Sequence, residues 1–122
     1  MDNTPKELDK EFLNNYYKDM VNEVGEIFQL FIEETSGDIK LIHDFFAEAK
    51  HKEVAEVLHK IAPCFYNVGL PHLTDAVKVI EANIHSGAYE EAASNFKSFA
   101  IELDAYMPAI IEEHKRLMTY QN

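Results

Sequence analysis

A chain of 122 residues, 47% of them apolar, is sized for one compact domain around a single core, residues 1–122. Its formal net charge of −11, from 22 acidic against 11 basic residues, argues against nucleic acid and against an anionic membrane surface, since both attract basic patches. The lone Cys64 excludes an internal disulfide, no apolar run approaches the ~20 residues of a membrane span, and the opening Met-Asp-Asn-Thr-Pro-Lys lacks a signal peptide's apolar stretch. The expectation is a cytoplasmic, monomeric domain without nucleic-acid or membrane partners.

The hydrophobic period is helical nearly everywhere, and no segment sustains apolar–polar alternation, which predicts an all-α fold. A short first helix is expected over residues 5–14, with Thr4 as N-cap, Pro5 at the first helical position, and Leu8, Phe12 and Leu13 as its apolar face. A long stripe follows through Val24, Ile27, Phe28, Phe31, Thr35, Ile39, Ile42, Phe45, Phe46 and Ala49. Its phase holds across Thr35-Ser36-Gly37-Asp38, so one long helix is expected, Gly37 costing only ~1 kcal/mol relative to Ala in a helix interior.

The third helix is expected over residues 52–68, with Val54, Val57, Leu58, Ile61, Phe65 and Val68 inward and Gly69 as its left-handed stop. Pro71 opens a fourth helix that turns Leu73, Ala76, Val77, Ile80 and Ile84 to the core and closes at Ser86-Gly87. The last runs over residues 89–117, with Phe96, Phe99, Ala100, Leu103, Tyr106, Met107, Ile110 and Leu117 inward and a kink expected at Pro108. Four long amphipathic helices with short joints make an antiparallel four-helix bundle, to which the first helix is a short N-terminal addition.

His59 stands out because it points away from the apolar stripe of its own helix. The positions that share its surface, four residues before and three and four after, are Ala55, Ala62 and Pro63, none long enough to shield the imidazole. An imidazole can act as base, metal ligand or nucleophile, and its partners discriminate among these. Metal sites in bundles use Glu-x-x-His pairs, and Glu48-x-x-His51 and Glu56-x-x-His59 have that spelling. One falls at a helix end and the other faces outward, so neither suits a ligand set buried between helices. No nucleophile elbow or Gly-rich phosphate loop is present. His72, His85 and His114 fall near helix ends or polar flanks, where a solvated histidine is ordinary, and Cys64 reads as a small buried hydrophobe.

The run His59-Lys60-Ile61-Ala62-Pro63-Cys64-Phe65-Tyr66-Asn67-Val68-Gly69 resembles the signature of histidine-containing phosphotransfer (HPt) domains, usually His-x-Leu-Lys-Gly-small-small-x-x-Val-Gly. His59, Ile61, Val68 and Gly69 are the matching anchors. The long preceding helix with its Phe-x-x-x-x-Glu-Glu spelling, Gly-Leu-Pro-His-Leu after the motif, and Ser-Gly-Ala-Tyr-Glu-Glu-Ala before the last helix extend the resemblance over residues 21–117.

The resemblance implies a phosphorelay intermediate rather than a turnover enzyme. His59 would take a phosphoryl group from the aspartate of one receiver domain and pass it to another. The implied partners are response-regulator receiver domains and a hybrid sensor kinase. It implies no cofactor on this chain, with magnesium carried by the receiver. Glu81, 22 residues after His59, falls where the family often has a Gln or Glu that orients the imidazole; by itself it reads as a solvated acid on a helix rim. Ala55, Glu56, Lys60, Ala62, Pro63 and Tyr66 are the candidates for receiver docking. Ala62 and Pro63 depart from the family's Lys and Gly: the first leaves Lys60, Lys78 and Lys52 as alternative sources of positive charge, and the second, lacking the amide that would bond to the His59 carbonyl, is expected to bend the helix there. A helical adaptor that binds receivers without carrying phosphate is the alternative function.

Overall fold

The structure, a computed structural model, describes residues 6–18 and 20–120. They form α1 (Lys10–Tyr17), α2 (Val21–Ala47), α3 (His51–Ile61), a 3-10 segment (Ala62–Val68), α4 (Pro71–His85) and α5 (Tyr89–Tyr120), with no strand among the described residues. The all-α expectation holds. α2 packs on α3 and α5, and α4 packs on the same two, which closes the four long helices into a bundle. Phe65 of the 3-10 segment lies at its centre, fully buried, edge-on to Phe31 of α2 and Phe99 of α5. None of the helices is long and apolar enough to cross a membrane among the described residues.

Three joints end helices by the same device. Gly69 and Gly87 adopt φ of 74° and 78°, and the amides that follow them bond back to the carbonyls of Phe65 and Asn83. The third left-handed residue is Ala49, at φ 57°, with Lys50 N–H bonded to the Phe45 carbonyl. Ala49 therefore leaves the α2 stripe in which its spacing had put it: α2 ends at Ala47, and Ala49 is exposed. α2 does run unbroken through Gly37, as its phase requires.

Two element boundaries differ from the sequence pattern. Thr4 and Pro5 lie outside the described residues, and α1 begins at Lys10, capped by Asp9, whose side chain accepts a 2.9 Å bond from Phe12 N–H. Leu8 is buried ahead of the helix, whereas Phe12 is only half-buried and stacks on Tyr16 and Tyr66.

The third helix, expected over residues 52–68 with a bend at Pro63, stops being α at Ile61 and tightens into the 3-10 segment. Pro63 accounts for the change: it has no N–H for the His59 carbonyl, and its ring crowds that carbonyl in an α-helix. Gly69 then matters twice, because a Cβ there would meet the Leu13 side chain at 2.9 Å besides demanding a left-handed backbone. α1 is clasped to this corner by Asp9 N–H on the Gly69 carbonyl (3.0 Å) and by the Tyr17 hydroxyl on the Asn67 carbonyl (2.6 Å).

At the start of α1, Glu113 of α5 is buried yet bonded by Arg116 (2.6 and 2.8 Å) and paired with Lys10 (2.9 Å). Burial alone pushes its carboxyl up, and the bonds from Arg116 and Lys10 together outweigh burial and hold it below the ordinary carboxylate value. His114 is half-buried rather than solvated, with Nε2 enclosed and without a hydrogen-bond partner.

Candidate functional site

α3 buries Val54, Leu58 and Ile61 completely or nearly so, and that choice of face fixes where everything else on it points. His59 is turned out, with its side chain 86% exposed. Beside it, α4 presents Thr74, Lys78 and Glu81, spaced by four and three residues and so aligned on one face. Together with Ala62, Pro63 and Tyr66 from the 3-10 segment, these residues and His59 enclose an open depression of about 440 Å³.

The imidazole leans on one carboxylate. His59 Nδ1 lies 3.5 Å from Glu81 Oε2, and the Glu81 side chain is only 16% exposed. That separation exceeds a formed hydrogen bond, usually 2.7–3.2 Å, and contacts of this kind are commonly loose before a partner docks. A hydrogen bond from Nδ1 to this carboxylate would leave the lone pair on Nε2. A second bond steadies the floor: the buried Thr74 hydroxyl donates to the Ala62 carbonyl at 2.6 Å, tying α4 to the first residue of the 3-10 segment.

The sequence-derived candidates divide in two. His59, Glu81, Ala62, Pro63 and Tyr66 come together around the depression. Ala62 is 6% exposed, so it is floor rather than open surface, a correction to its expected accessibility; Pro63 is exposed, and Tyr66 is half-buried against Phe12, ring centroids 5.9 Å apart. Ala55, Glu56 and Lys60 do not line the depression. Lys60 turns to the other side of α3, where it donates to Asp38 of α2 at 3.1 Å. That bond and the Asp38 charge hold the ammonium above its ordinary value.

Three contributors were missed in the sequence. Thr74 carried a legible signal, since it shares the helical phase of Lys78 and Glu81. Asp38 gave none, because nothing in its own stretch of helix marks it as a buried acid. Phe12 was assigned to the core rather than to the flank of Tyr66. Among the described residues, no cluster of three or more His, Cys, Asp or Glu side chains could hold a metal ion.

The site thus sets an outward histidine beside an acid from the neighbouring helix, on the surface of a helical bundle. The Hpt domain family model matches residues 26–113, most of the chain, and the protein belongs to that family. Membership carries histidine phosphotransfer in two-component signalling; such domains are phosphotransfer intermediates, generally not turnover enzymes, and work with receiver domains and kinases. A search of curated proteins and a search of solved structures return no significant match.

Proposed function

We propose that His59 is the phosphoryl carrier of a phosphorelay, taking its group from the aspartyl phosphate of one receiver domain and giving it to the aspartate of another. The observation that carries this reading is the geometry of one side chain: an imidazole 86% exposed whose Nδ1 faces the Glu81 carboxylate at 3.5 Å. In the forward step the Nε2 lone pair attacks phosphorus, an N–P bond forms, the P–O bond to the aspartyl carboxylate breaks, and that carboxylate leaves with the electron pair. The ring becomes an imidazolium, and its Nδ1 proton stays directed at Glu81, which stabilises the positive charge. The second receiver reverses the sequence with its own carboxylate as nucleophile.

Phosphoryl transfer is mostly a matter of in-line positioning and charge neutralisation. The receiver is expected to bring magnesium, leaving this chain to supply an oriented, reachable nucleophile. Pro63, Tyr66, the exposed edge of Glu56 and the half-buried Ala55 form the surroundings on which a receiver would rest. The domain is read as a single unit over residues 1–122, monomeric and cytoplasmic.

The test is to mix the protein with receiver domains phosphorylated on aspartate and to follow acid-labile label. Wild type should acquire label and His59→Ala none. Receiver binding without label on wild type would instead support an adaptor, and label that survives His59→Ala would place the carrier elsewhere.

A further inference from the structure

We propose that Lys78 of α4 is the cation that neutralises the phosphoryl group on His59, an inference that rests on the carrier reading above. The charges near His59 are otherwise negative. Glu56 stands three residues before it on the same surface of α3, and Glu81 lies against its ring. A phosphoryl group sets roughly two negative charges on a ring that gains one positive charge, in a chain already at −11. Such a group is held against repulsion only if a cation stands within the same few ångströms.

Lysines and arginines elsewhere do not meet that need. Lys60, adjacent in sequence, is committed to Asp38 on the opposite side of α3. Lys52 is seven residues back, about 10 Å along the helix axis, and does not line the depression. Lys78 does line it, and is the sole Lys or Arg among the lining residues. It is exposed, and no carboxylate of a described residue pairs with it. Glu81, three residues further on α4 and well placed to quench it, is turned to His59 instead. The two side chains thus divide the work: Glu81 faces Nδ1, and Lys78 lines the depression into which His59 opens.

The test needs no partner protein. Phosphoramidate transfers its phosphoryl group to an imidazole nitrogen, the N–P bond to the ring forming as the donor's own P–N bond breaks and ammonia leaves. Wild type, Lys78→Arg, Lys78→Ala and Lys78→Glu are incubated with it, and both labelling and later loss of phosphate are followed by phosphorus NMR.

Lys78→Ala should label about tenfold more slowly, a modest loss for an exposed donor, and shed phosphate to water faster. Lys78→Glu should be slower still, while Lys78→Arg stays near wild type. Raising the salt concentration should narrow the differences, as screening of exposed charges requires. Thermal unfolding midpoints of the four proteins should agree. Equal labelling and decay across all four, with wild type labelled on His59, would overturn the role of Lys78 and leave the carrier reading standing. Wild type that takes no label from phosphoramidate or from a phosphorylated receiver would overturn both.

Discussion

His59 and Lys60 are neighbours in the chain, and about 100° of helix rotation sends them to different walls of the bundle. On the α4 side, His59 meets Glu81, Lys78 and Thr74 around an open depression. On the α2 side, Lys60 meets Asp38, and Cys64 lies half-buried beside it, its thiol pushed up first by burial and then by the carboxylates of Asp38 and Glu34. Both sides pair a basic group with an acid from the adjoining helix. They differ in what remains unpaired: the α2 side closes its charges on each other, whereas the α4 side leaves a nitrogen lone pair and an ammonium facing solvent. A pair that is satisfied holds helices together, and one left incomplete can take a ligand.

The comparison breaks most visibly at Glu81. Replacing it with Ala removes the acceptor that orders the ring, so phosphoryl transfer should slow by about tenfold to a hundredfold. The domain should stay folded, with receiver binding nearly unchanged. Glu81→Gln, which still accepts from Nδ1, should recover much of the rate, and a rate for Glu81→Ala equal to wild type would reduce Glu81 to an ordinary rim acid. Thr74→Val comes next. The change keeps the side-chain shape and deletes the hydroxyl that reaches the Ala62 carbonyl. Urea unfolding should show a loss of about 1 kcal/mol. Transfer should fall less than in Glu81→Ala, because only the floor of the depression is loosened; an unchanged unfolding midpoint would mean that the carbonyl finds another donor.

How much of this was legible in the residues follows from what each signal depends on. The five helices were readable because periodicity reports a face, and the apolar faces expected of α4 and α5 are the buried ones almost residue for residue, while that of α2 is buried or half-buried as far as Phe46, short of Ala49. The orientation of His59 followed by subtraction, since the stripe through Leu58 and Ile61 leaves it outward. Pro63 announced a disturbance but not its form: the missing amide is a sequence fact, whereas the 3-10 path that absorbs it depends on α4 and the Thr74 bond. Lys60 was legible only in part, for a related reason. Its exposed position on the helix is correct, yet its direction was decided by Asp38, a residue on another helix whose burial no local pattern predicts. Lys78 could not be told from Lys52 or Lys60 until α4 was packed against α3. One helix's face can be read from its own sequence, but which charges meet across two faces cannot.

The smallest effect tests the closed side. Lys60→Gln keeps a polar chain of similar length and removes a charge from the α2 wall alone. If the two walls are independent, the rate of phosphoryl transfer through His59 should be unchanged, and a loss comparable to that of Glu81→Ala would show that Lys60 serves the site after all. The consequence should fall on Cys64. Lys60 is the one nearby charge that favours its thiolate, against Asp38, Glu34 and burial, all of which disfavour it. Without Lys60 the thiol is held still higher, less thiolate is present at a given pH, and alkylation of the folded protein by iodoacetamide should slow. Alkylation in urea should be nearly the same for both proteins, because that environment exists only in the fold. A folded-state rate that rises, with transfer intact, would mean instead that Lys60 shields Cys64 by covering it, so that its contribution to this wall is steric rather than electrostatic.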